Sequence, residues 1–290
     1  MKKNNSLYKV HIYASLAILI WATAFPVTKV IGTDISATSL ALIRCTSASV
    51  LLIVMGLVNR ISFPKSAKTW ALLFIAALSG FALYITFFSQ GLKSITSATS
   101  SIIIALVPIM GAVGARIVYK ERISIIGWIS TFTAFGGVVV LMCWNGIVSI
   151  NAGALWTLAA ALCFFVYNML NRELGKTLTS LEIVTFAMSM AAVCLMVFLS
   201  GTVRDVSAAP LISVLLAVYL GFFPSAISYF LWAKAFQHAE KATTVTSYMF
   251  ATPVLATLLS VVMLHEVPDM GVYVGGGIIL ISLIVFNLKK

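Results

Sequence analysis

The chain has 290 residues, 61% hydrophobic and only 9% charged, where a soluble domain carries about a quarter charged residues. So little polar surface cannot clothe a fold in water, which leaves the lipid bilayer as solvent. The net charge of +11 comes from Lys and Arg scattered singly between apolar runs, a pattern of topology determinants rather than of a nucleic-acid surface.

A membrane crossing takes about 20 mostly apolar residues. That ruler predicts ten spanning helices, near 10–31, 37–58, 69–91, 95–118, 123–143, 152–171, 181–201, 211–234, 242–264 and 270–287. The start of the chain, basic and then apolar, has the look of a secretory leader. Its apolar run is long enough to span and lacks a small-residue cleavage site, so it is expected to remain as the first helix. With the amino terminus in the cytoplasm, Lys2, Lys3, Lys9, Arg60, Lys65, Arg116, Lys120, Arg172 and Lys176 all fall on inner loops or helix ends. Only Lys29, Lys93 and Arg204 fall outside. Both termini are therefore expected inside a cytoplasmic membrane. Cys45, Cys143, Cys163 and Cys194 lack paired spacing and read as small buried hydrophobes.

The chain also repeats itself. PIMGAVGARIVYKE (108–121) and PVLATLLSVVMLHE (253–266) both run from proline to glutamate, 145 positions apart. At the same offset Tyr84 pairs with Tyr229, Ser130 with Gly275 and Gly137 with Ser282, while WATAFPVTK aligns with FFVYNMLNR across a small gap. The expected fold is an all-α membrane protein whose ten transmembrane helices form two five-helix repeats, 1–145 and 146–290. An odd number of crossings per repeat inserts the second copy upside down. That explains why basic residues crowd YKER but not LHEVPD. Inverted repeats are a common construction in secondary transporters, whose halves expose a midplane site to each face in turn.

These residues carry a resemblance. The proline-to-glutamate helices, SLALIRC in the second helix, the Trp and Lys of IWATAFPVTK, and glycine-rich fifth and tenth helices resemble the drug/metabolite transporter superfamily, in its ten-helix form with two EamA domains. The resemblance covers essentially the whole chain. It implies a bacterial-type inner-membrane carrier, often an exporter of amino acids or related metabolites, with a central cavity between its halves. The chain departs from the pattern at His265-Glu266, where members often carry Gly-Glu, and at Ser282, where glycine is usual.

Among candidate site residues, Arg44 stands out. It lies about eight residues, roughly 12 Å, into the second span, and a charge at that depth costs at least about 2.5–3.5 kcal/mol. No carboxylate lies at comparable depth elsewhere in the sequence. Its partner is expected to be a set of helix-end carbonyls, cavity water or an anionic solute, unless the side chain snorkels toward the outer headgroups and serves a structural role. Trp21, Thr23, Tyr84, Phe87, Ser100, Ser101, Tyr167, Asn168, Tyr229, Trp232, Ser247 and Tyr248 fall on helix faces that could complete a substrate-binding ring. The same spacing of small and aromatic residues also suits plain helix packing. Pro108 and Pro253 are expected near the midplane as kinks or hinges, freeing the carbonyls of Ile104 and Met249. Glu121 and Glu266 are expected to cap helices five and ten.

No acid–base cluster, metal-ligand spacing or phosphate-binding loop is present in the sequence, so neither an enzyme nor a cofactor is expected. The expected partners are a small-molecule substrate and the bilayer, with no nucleic acid and no obligate protein partner. The expected activity is alternating-access export of amino acids or related carboxylate-bearing compounds. Export of lipophilic cations is the alternative.

Overall fold

The structure, a computed structural model, describes residues 2–119, 124–144, 151–239 and 242–288. Among these the fold is entirely helical. In chain order the helices are α1 (Lys2–Ile31), α2 (Ala37–Val58), α3 (Ala67–Leu92), α4 (Ser97–Ile104 continued by Val107–Tyr119), α5 (Ile125–Cys143) and α6 (Ala152–Leu174). They are followed by α7 (Ser180–Ala208), α8 (Leu211–His238), α9 (Ala242–Thr246, a 3₁₀ stretch Ser247–Ala251, then Thr252–Leu264) and α10 (Met270–Leu288). Eight stretches are long and apolar enough to cross a bilayer, and two shorter apolar ones, Ile125–Gly137 and Met270–Ser282, accompany them. The protein is a multi-pass membrane protein. Helix α1 begins earlier, and α7 and α8 run several residues further, than the apolar ruler predicts. Helical hydrogen bonding continues into polar residues after hydropathy has fallen.

Helix starts follow local chemistry. Ser36, Thr96, Ser124 and Asn151 each accept a hydrogen bond from a backbone N–H two or three residues on, at the starts of α2, α4, α5 and α6. Thr179 and Glu182 form a reciprocal capping box on α7. These side chains occupy N–H groups that no helical carbonyl reaches.

Five helices depart from plain α geometry, among them α7 with a 3₁₀ stretch at Met196–Phe198. A π turn spans Leu78–Ala82 in α3, and another spans Gly221–Ile227 around Pro224 in α8. Helix α4 breaks at Ala105 and Leu106, and α9 passes through its 3₁₀ stretch over the corresponding residues. Pro108 and Pro253 are thus not kinks inside continuous helices, as the sequence led one to expect. Each is the second residue of a new helical piece. A missing N–H costs nothing in a first turn, and the fixed φ of proline already suits a helix. The Met249 carbonyl is not freed but accepts from the Thr252 N–H.

Glycines set the close crossings. A Cβ on Gly91 of α3 would lie 2.9 Å from the Gly153 carbonyl of α6, and one on Gly137 of α5 would lie 2.9 Å from the Gly275 carbonyl of α10. Backbones approach this closely only where no side chain intervenes. One large apolar core runs through the bundle, with a smaller cluster between α1, α2 and α8. Outward faces remain apolar, with Val54, Phe132, Val197, Leu215 and Val262 exposed, as contact with lipid requires. Cys45 is buried, but Cys163 and Cys194 are only half-covered on such faces, and the Cys143 side chain lies outside the described residues.

Candidate functional site

Helices α3, α4, α8 and α9, each carrying an irregular turn, all contribute to the wall of one small cavity. Its wall is Trp21, Ala24 and Phe25 of α1, Arg44 of α2, Tyr84 and Phe88 of α3, and Ile104 of α4. Phe164 of α6, Tyr229 of α8, and Met249 and Thr252 of α9 close it. The free volume is about 20 Å³, room for about one water molecule. A larger central hollow is expected from the resemblance; in this conformation the centre is nearly filled.

Of the candidate residues, Trp21, Arg44, Tyr84 and Tyr229 are thus brought together. Arg44 is 2% exposed. Its Nε donates to Ser225 Oγ at 3.1 Å, while its Nη1 has no hydrogen-bond partner among the described residues. No carboxylate lines the cavity. Trp21 donates its indole N–H to the Pro224 carbonyl at 2.8 Å, and Tyr229 donates its hydroxyl to the Gly80 carbonyl at 2.9 Å. Both acceptors sit inside π turns. A ring on α1 therefore serves the irregular turn of α8, and a ring on α8 serves that of α3. The Trp21 ring also meets Tyr229 and Phe164 edge-on, at 5.0 and 5.5 Å between centroids.

The remaining predicted residues sit elsewhere. Tyr167, Asn168 and Trp232 form a buried layer behind the wall, in which Trp232 Nε1 donates to Asn168 Oδ1 at 3.0 Å and the Tyr167 ring covers Gly80. Ser100 and Ser101 are fully buried, and Ser101 donates to the Ala98 carbonyl. Phe87 packs on Trp156 at 5.2 Å, away from the cavity. Thr23 turns toward α8, sharing a 2.9 Å hydrogen bond with the Tyr219 hydroxyl. Tyr248 bonds His11 at one end of the bundle. The Ser247 side chain and all of Glu121 lie outside the described residues.

Glu266 departs from the expected role. It does not cap α10, where Asp269 accepts from the Val272 N–H at 2.9 Å. Instead its Oε2 accepts from the Ser97 N–H at the start of α4, at 3.1 Å, and Oε1 pairs with Lys29 of α1. Lys29 also donates to the Ile95 carbonyl at 2.9 Å. The turn before α10 is thereby tied to α1 and α4.

Phe25, Phe88, Phe164 and Thr252 of the wall, and Ser225 beside Arg44, were not singled out by the sequence, and Met249 only for its carbonyl. A signal existed for two of them: Phe25 and Phe88 follow Trp21 and Tyr84 at i+4, the neighbouring position on a helix face.

A membrane-embedded helical bundle with irregular helices around a polar atom at its centre defines a transport-type architecture. The EamA-like transporter family matches the chain twice, over residues 8–143 and 151–288. The protein belongs to that family, part of the drug/metabolite transporter superfamily, and is a transporter of small molecules rather than an enzyme. A probable terminal-alkyne amino-acid exporter from Streptantibioticus cattleyicolor is 27% identical over 274 residues, spanning 94% of this chain and 92% of that protein. The uncharacterized transporter YdfC of Bacillus subtilis is 27% identical over 285 residues, spanning 97% and 92%. An uncharacterized transporter of Archaeoglobus fulgidus is 26% identical over 287 residues. A solved crystal structure shares the fold with a TM-score of 0.71 over 97% of this chain and 99% of that one, at 21% identity.

Proposed function

We propose that the protein exports amino acids or related carboxylate-bearing metabolites across the cytoplasmic membrane by alternating access. In this reading ten helices cross the bilayer as two oppositely inserted repeats, 1–145 and 146–290, with both termini in the cytoplasm. The observation that carries it is the buried Arg44, whose Nη1 has no partner among the described residues and whose cavity offers no carboxylate. Burying a guanidinium without a counter-charge costs several kcal/mol, and an anionic solute would supply that charge. The aromatic wall suits an apolar body attached to the carboxylate. The name of the Streptantibioticus relative points the same way.

A lipophilic cation would meet positive charge and no acid in this cavity, which disfavours the alternative reading. The cavity must widen to admit any solute, so the contacts that now close the bundle at both ends must open in turn. At one end these are Lys29–Glu266 and the Ser36 N–H to Asp205. At the other they are His11–Tyr248 and the Ser62 N–H to Glu182.

The test is uptake of a panel of amino acids and lipophilic cations into liposomes containing the purified protein. Uptake of at least one amino acid is expected. Arg44→Ala is expected to depress it about 10- to 100-fold, the scale of one charged hydrogen bond. Uptake of cations alone, or full activity in folded Arg44→Ala, would overturn the reading.

A further inference from the structure

Arg44 Nη1 is not the only polar atom on the cavity wall without a partner among the described residues: Thr252 Oγ1 is the second. The two residues are 2% and 3% exposed, so bulk water does not satisfy them. They come from different parts of the chain, α2 and α9, and face the same small space. The guanidinium and a hydroxyl able to donate both favour an anion in this cavity.

We propose that Thr252 is a specificity-determining residue: its hydroxyl donates to one oxygen of the substrate carboxylate while Arg44 Nη1 donates to the carboxylate as well. The proposal rests on the carboxylate reading above and deepens it. It gives Arg44 a counterpart on α9 beside the break that precedes Pro253. A bound carboxylate would then join α2 to α9, and the solute's apolar body would lie on Trp21, Tyr84 and Phe164. Such pairing predicts strong discrimination, because a ligand lacking the acceptor leaves both donors buried and unpaired.

The test compares dissociation constants of L-leucine and L-phenylalanine with those of isopentylamine and phenethylamine, the corresponding amines, which lack the carboxylate and offer no acceptor oxygen. The purified full chain is used as wild type, Arg44→Gln, Thr252→Val and Thr252→Ser. Wild type should prefer the acids. Thr252→Val, nearly isosteric, should cut the acid-to-amine preference about ten-fold while leaving amine binding unchanged, and Thr252→Ser should keep the preference. Equal weakening of acid and amine in Thr252→Val would mean a packing role and overturn the proposal. If Arg44→Gln loses the preference and Thr252→Val keeps it, the Thr252 assignment alone falls. If wild type binds neither acid, or binds acid and amine alike, the carboxylate reading falls and the Thr252 assignment goes with it.

Discussion

On the proposed reading, Arg44 joins sequence to function through a conflict between stability and use. A buried guanidinium with one hydrogen bond among the described residues, 3.1 Å to Ser225, would destabilise the bundle when no ligand is bound, because desolvation outweighs so little compensation. Arg44→Gln should therefore raise the melting temperature of the purified protein while lowering amino-acid uptake. A fall in both would mark Arg44 as a structural residue. Its singularity was legible in the sequence because a lone charge inside an apolar run is costly and must be compensated. Thr252 was not legible: threonine is common in membrane helices, and only the fold reveals its buried, unpartnered oxygen. His265 is the second residue-scale finding. It closes α9 with φ at 53°, its N–H bonding Val261 and the next N–H reaching Ser260. This is the left-handed closing position that glycine fills most easily, which gives a physical reason for the Gly-Glu pattern that the resemblance led one to expect here. His265→Gly should stabilise the protein by about 0.5–1 kcal/mol, relief of left-handed strain less the entropy of a freer unfolded chain. A lower melting temperature would contradict this.

At the scale of elements, hydropathy located the helices but not their interruptions. A π turn is one extra residue per turn, and its cues here, Gly80 in one case and Gly221 with Pro224 in the other, are ordinary in membrane helices. Their importance appears only in three dimensions, where Trp21 and Tyr229 reach across to the Pro224 and Gly80 carbonyls. The prolines of α4 and α9 were visible, but not that each begins a helical piece. Periodicity cannot tell a proline that bends a helix from one that begins a new piece. The distinction is measurable. Pro253→Ala should change stability by no more than about 1 kcal/mol, since the residue sits in a first turn. A gain near 3 kcal/mol, the cost of an internal proline, would show that α9 is a strained continuous helix. Glu266 was likewise legible as a helix-end carboxylate but not as the one that serves α4, because its partners Lys29 and Ser97 are remote in sequence.

For the whole molecule, one family model matches twice, over residues 8–143 and 151–288, and the π turns of α3 and α8 fall about 145 positions apart. The size of the cavity could not be read from the sequence, because residues that line a passage and residues that pack a bundle share the same spacing. In the structure Arg44, Trp21 and Tyr229 bind the first five helices to the last five at the centre. Separate polar ties close each end. A carrier built this way must release one set of ties while keeping the other. The most direct measurement uses two spin-label pairs: positions 93 and 267 at the end held by Lys29–Glu266, and positions 60 and 176 at the opposite end, in liposomes with and without a transported amino acid. Alternating access predicts opposite changes, one pair separating as the other closes. Distances that stay fixed, or that lengthen together at both ends, would contradict it.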